Sequence, residues 1–126
     1  MKVRIYYYHT DSSGVIYYGA YFSFLEEART RHLEEKGVHL KELAKQGLLF
    51  VVGRQEIDYR APVYYADTLE ISTQISESSR VSMVFSHEIK NQLDQLVCEA
   101  KTLLVCVNSL LKPQSLKPFL NLISNR

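Results

Sequence analysis

The chain has no tryptophan, two cysteines, three prolines and almost no net charge, and each shortage closes off a class of protein. A formal net charge of +1 gives no basic excess to hold the whole surface against nucleic acid or an anionic bilayer, although a local basic patch could still grip phosphates. No apolar run is long enough to span a membrane, and the opening MKVRIYYYHT alternates charged and apolar residues where a signal peptide would be continuously apolar. A cytoplasmic protein that does not span a membrane is expected. Cys98 and Cys106 lie on what reads as one strand, about 27 Å apart at the usual rise, too far to bridge, so both read as buried free thiols. Neither has a His beside it in sequence to activate it as a nucleophile. No P-loop, Rossmann fingerprint or G-x-S-x-G elbow occurs. His9, His32, His39 and His87 do not form a metal signature, since His9-x-Asp11 supplies only two ligands. Neither a metal nor a cofactor is expected.

What is present fits one folded unit. The 126 residues, 46% of them apolar and 23% charged, suffice for a single domain over residues 1–126 with a genuine core. Val3, Ile5 and Tyr7 alternate with Lys2, Arg4 and Tyr6, which predicts an opening strand with one buried face. A turn at residues 11–14 follows. Then Tyr18, Tyr21, Phe22, Leu25, Ala28, Arg29, His32 and Leu33 recur at helical spacing, with Gly37 as the stop and a short second helix over residues 40–46. Residues 48–59, 69–75, 81–89 and 96–107 read as strands, and residues 119–123 as one short helix or a loose cap behind Pro113 and Pro118. One strand, one long helix and about four more strands exclude alternating βαβ units. They imply an α+β fold in which an antiparallel sheet of about five strands wraps one long central helix.

Residues 7–29, YYHTDSSGVIYYGAYFSFLEEAR, hold the candidate chemistry. One carboxylate, Asp11, precedes a Ser-Ser-Gly turn and then the start of the helix. Helix starts carry N–H groups without intrahelical partners, which suit an oxygen that becomes negative during a reaction. The plain alternative is that Asp11 only organises its loop as an Asx turn or cap. The pattern Tyr7-x-x-x-Asp11, Asp11-x-x-Gly14-Val15-x-Tyr17, Tyr21 and Glu26-x-Ala28-Arg29 resembles the hotdog-fold thioesterases of the 4-hydroxybenzoyl-CoA thioesterase branch, specifically the YbgC type. Ile57-x-Tyr59-x-x-Pro62 and Asp67-x-Leu69-x-Ile71 are similar to that family's pattern after the helix, so the likeness covers nearly the whole chain.

The resemblance implies an acyl-CoA thioesterase that releases a free carboxylic acid and CoA, with Asp11 as the catalytic carboxylate. A thioester is already activated, so one carboxylate suffices, either attacking the carbonyl to give a mixed anhydride or deprotonating a water. By the same resemblance the Tyr18 N–H is the oxyanion donor, and Tyr7 supports the site; Tyr7 could equally be a strand aromatic filling the core. Several YbgC-type sequences carry His where this chain has the Tyr18 side chain, whose phenol titrates near pH 10 and suits hydrogen-bond donation better than proton transfer. Tyr17, Tyr21 and the run Phe50, Val51 and Val52 are implied to contact substrate, because the family's thioester lies between the helix start of one subunit and the strand after the helix of its partner. Arg54, Arg60, Arg80, Lys101 and Lys112 could meet CoA phosphates, but each reads first as a solvated charge. A homodimer is the minimum expectation, since a lone unit leaves a sheet edge uncovered, and the resemblance implies a homotetramer. The alternatives are an acyl carrier protein as the thiol carrier, a non-catalytic acyl-CoA binding module, or a hotdog dehydratase using His9 and Glu26, whose spacing does not reproduce that motif.

Overall fold

The computed structural model describes residues 1–124. Its elements run β1 (Lys2–Arg4), a 3-10 turn (Tyr7–His9), α1 (Gly19–Glu35), α2 (Leu40–Lys45), β2 (Leu49–Tyr59), β3 (Thr68–Ser78), β4 (Ser82–Lys90), β5 (Leu96–Val107), a second 3-10 turn (Lys117–Phe119) and α3 (Leu120–Ser124). The strands form one antiparallel sheet in the order β1-β3-β4-β5-β2, so β2 is an edge. The hairpin β3–β4 turns at Ser79, whose hydroxyl accepts the Val81 and Ser82 N–H groups at 3.2 and 3.1 Å.

Alternation along each long strand decides which face is buried. On β4, Met83, Phe85, His87 and Ile89 point inward, and on β5, Cys98, Ala100, Thr102, Leu104 and Cys106 do so. The helix α1 fills the inner face in two places. Ala20, Tyr21, Phe24, Leu25 and Ala28 join Ile5, Ile16, Val63, Leu69 and Ile71 in an upper core beside the helix start. Leu33 joins Val38, Ile75, Met83, Phe85, Leu104 and Phe119 in a lower core beside its end. Removing apolar area of this kind from water is the principal stabilising term, at about 25 cal/mol per Å2.

The end of α1 is closed by backbone bonds. Gly37, at φ +87°, donates to Glu34 O at 3.0 Å, and Val38 donates to Leu33 O at 2.9 Å. These two bonds, with Leu33 and Val38 buried in the same core, make a Schellman motif that requires a residue comfortable at positive φ.

Two sequence expectations need correction. The opening strand stops at Arg4 instead of running through Tyr7 toward Asp11, because the His9 ring takes the Tyr6 N–H at 2.9 Å (Nδ1) and turns the chain into a 3-10 turn. Tyr7 therefore does not fill the core: it is 69% exposed and stacks on Tyr65 with ring centroids 3.8 Å apart. Along α1 the buried stripe runs through Ala20 and Phe24, while Tyr18 and Phe22 stay exposed. Both cysteines are free and buried on β5, and burial pushes the Cys98 thiol up to about 12.

Candidate active site at the start of the long helix

Residues 10–16 form a closed loop. Thr10 bridges Ile16, Asp11 N–H donates to Val15 O at 2.9 Å, and Gly14 N–H donates to Asp11 O at 3.1 Å. Gly14 sits at φ +83°, where a side chain would be strained. A second strip of chain fixes this loop from outside: Ile16 N–H donates to Val63 O at 2.8 Å and Tyr65 N–H to Gly14 O at 3.1 Å. The loop is therefore built into the fold on two sides before any substrate arrives.

Asp11 closes an Asx turn within that loop. Its Oδ1 accepts the Ser13 N–H at 2.8 Å and also the Ser13 hydroxyl. The Ser13 hydroxyl and then the Ser13 N–H hold the Asp11 carboxyl below the usual carboxylate range. The carboxylate is exposed in the protomer. The loop-organising arrangement expected of a plain Asp is thus present, and it leaves the carboxylate open to solvent.

Helix α1 begins without a side-chain cap or an acidic residue in its first turn. Ala20 N–H donates to Tyr17 O at 3.1 Å and Tyr21 N–H to Tyr18 O at 3.2 Å, whereas the N–H groups of Tyr18 and Gly19 have no backbone acceptor among the described residues. Seventeen residues of aligned peptide dipoles end at these two donors, which makes the position electropositive.

A cleft of about 300 Å3 opens beside them, lined by Val15, Ile16, Tyr18, Tyr21, Tyr59, Arg60, Ala61 and Pro62. Tyr18 and Tyr59 stack across it at 4.4 Å, and buried Tyr21 lies beneath Tyr59 at 5.5 Å. Burial raises both the Tyr21 and Tyr59 phenols, so neither ionises near neutral pH. Arg60 at the rim is paired with Glu99 at 2.6 Å.

The cleft brings together some of the residues singled out in the sequence. Tyr18 and Tyr21 line it; Asp11, Tyr7 and Tyr17 do not. Phe50, Val51 and Val52 lie at the other end of β2, where they pair with Cys106, Val105 and Leu104, about 20 Å or more along the strand from Tyr59. Within one protomer they cannot meet the Tyr18 N–H. Tyr59, Arg60 and Ala61 escaped notice as lining residues, although Tyr59 and Pro62 stand in the Ile57-x-Tyr59-x-x-Pro62 pattern.

An antiparallel five-stranded sheet around a long helix, with a carboxylate loop entering that helix, defines the class: an α+β hotdog fold. The model of the Thioesterase-like superfamily matches residues 5–121, and the chain belongs to that family. It is 39% identical over 115 residues to the acyl-CoA thioester hydrolase YbgC of Escherichia coli, covering 90% of this chain and 86% of the relative. The acyl-CoA thioesterase YbgC of Haemophilus influenzae is 33% identical over 108 residues, covering 84% and 78%. Among solved structures, a DHNA-CoA thioesterase from Staphylococcus aureus matches with a TM-score of 0.90 at 27% identity, over 96% of this chain and 82% of that one.

Proposed function

We infer that this chain is a thioester hydrolase that cleaves acyl-CoA to a carboxylic acid and CoA. The observation that carries the reading is the pair of unclaimed N–H groups at Tyr18 and Gly19, set beside an aromatic cleft and directly after the loop that bears Asp11. The relatives named above act on acyl-CoA thioesters by their names, and this supports the same substrate class here.

In the proposed reaction the thioester carbonyl oxygen lies against the Tyr18 N–H, where negative charge developing in the tetrahedral state meets the helix dipole. One such donor is worth about 2.7–4 kcal/mol of barrier. Asp11, ionised at neutral pH and held more firmly so by its Ser13 hydrogen bonds, either attacks the carbonyl carbon to form an anhydride that water then opens, or removes a proton from an attacking water. The exposure of the carboxylate makes it available for either route. The CoA thiolate leaves without a metal. Tyr17 and Tyr21 belong to the substrate side of the site on this reading, and Tyr7 acts from outside the cleft through its stack on Tyr65.

A complete site calls for a second copy. Phe50, Val51 and Val52 of one protomer are too far from its own Tyr18 to touch the same acyl group, and β2, which carries them, is an open sheet edge. Pairing of that edge with another copy gives a homodimer, and two such dimers the homotetramer, which we place in the cytoplasm. No helix among the described residues is long and apolar enough to cross a membrane. An acyl carrier protein in place of CoA is the alternative carrier.

The test is thiol release from a panel of acyl-CoAs. Wild-type protein should release thiol, with the acid limb of its pH profile lying below the ordinary carboxylate range, because the Ser13 hydroxyl and N–H hold the active carboxylate down. A wild type that releases thiol from none of the panel overturns the assignment. The corresponding acyl carrier protein thioesters, run in parallel, decide the carrier.

A further inference from the structure

The stacked pair across the cleft has a consequence for which acyl groups fit. If the Tyr18 N–H holds the carbonyl oxygen, the Tyr18 ring is the first wall the acyl group meets, and Tyr59 stacks directly on that ring. Tyr59 cannot withdraw inward, since Tyr21 lies beneath it with only 1% of its surface exposed. Its backbone is held to β5, where Tyr59 pairs in register with Cys98. Within one protomer the remaining walls are Val15, Ile16, Ala61 and Pro62, with Arg60 held by Glu99 at the rim. A volume of about 300 Å3 is at the lower end of ligand pockets.

We propose that Tyr59 is a specificity-determining residue, a fixed aromatic wall that admits an aryl or short acyl group beside Tyr18 and turns away long flexible chains. A planar ring can lie offset against the Tyr59 face, an arrangement aromatic pairs favour. A long alkyl chain has to push the Tyr59 ring off Tyr18 or leave the cleft. The proposal rests on the thioesterase reading above for the position of the carbonyl, and it deepens that reading by naming the acyl class.

The experiment compares benzoyl-CoA, butanoyl-CoA and hexadecanoyl-CoA on wild type, Tyr59→Ala and Tyr59→Phe. Wild type should favour benzoyl over hexadecanoyl in kcat/KM by at least about tenfold, the scale on which a pocket wall discriminates. Tyr59→Ala should shrink that ratio by a similar factor, losing on benzoyl and gaining on hexadecanoyl. Tyr59→Phe should keep the wild-type ratio, since the ring and not the hydroxyl forms the wall. A Tyr59→Ala enzyme slowed equally on all three substrates, or a wild type that prefers hexadecanoyl-CoA, overturns the proposal. Calorimetric binding of the nonhydrolysable thioethers benzyl-CoA and hexadecyl-CoA to the same three proteins gives an arm independent of turnover. If no substrate is hydrolysed, the catalytic reading falls, while the order of thioether binding still decides the role of Tyr59.

Discussion

At Glu35 helix α1 is finished by bonds from Gly37 and Val38 and by the burial of Leu33 and Val38 in one core, whereas at Gly19 it begins with donors that nothing described in the protomer takes up. The same helix therefore carries a closed end and an open one. Unclaimed donors at a helix start cost stability, because caps there are typically worth about 1 kcal/mol. The closed end offsets that cost with buried apolar area and a satisfied motif. Stability and reactivity are divided along one element: changes near Leu33 should act on folding, and changes near Asp11 on turnover.

The largest expected effect lies at the open end. Asp11→Asn should cut turnover by about 10²–10⁴-fold, the range for a lost acid or base group, with the melting temperature nearly unchanged because Asn keeps an oxygen for Ser13. Equal losses of turnover and stability would erase the division. At the closed end, Leu33→Ala should cost about 2–5 kcal/mol of stability by denaturant titration, while the folded protein keeps its kcat.

Acid should attack the middle of the helix. His87 on β4 lies under α1, with Nδ1 3.0 Å from the Thr73 hydroxyl and Nε2 without a partner among the described residues. Burial first, then Arg29 and His32 of α1, push its imidazole from 6.5 down to about 4. The unfolded chain takes up this proton below pH 6.5 and the folded chain only near pH 4. Stability is accordingly full above pH 6.5 and falls by up to about 3 kcal/mol as pH drops to 4. Denaturation at pH 7 and pH 4.5 measures the slope, and His87→Met should flatten it. The smallest effect expected is Gly37→Ala, about 1 kcal/mol from the positive φ alone, since the added carbon would meet only Leu122 at an ordinary 3.8 Å.

Much of this comparison was legible in the sequence, for reasons specific to each element. Residues 96–107 carry an apolar inner side over a long unbroken stretch, so β5 occupies the expected span, and Gly37 marks the closed end correctly. The opening strand misled because Val3, Ile5 and Tyr7 share a strand period, while the turn that ends it depends on a His9 side-chain bond that no period records. Around the helix start, residues 15–18, 20–22 and 24–25 are all apolar or aromatic, so the pattern could not choose between Phe22 and Phe24 for the core. The Asp11 turn was readable from its Ser-Ser-Gly neighbours. The wall at Tyr59 was not, because it comes from the crossing of two segments distant in sequence.

The two thiols on β5 bring a practical benefit. Both are shut away from solvent, and Cys98 is raised to about 12, so the native chain presents scarcely any thiolate to a colorimetric sulfhydryl reagent. Colour that develops with substrate then reports liberated CoA against a dark background. Colour that develops without substrate clocks the rate at which this strand unzips.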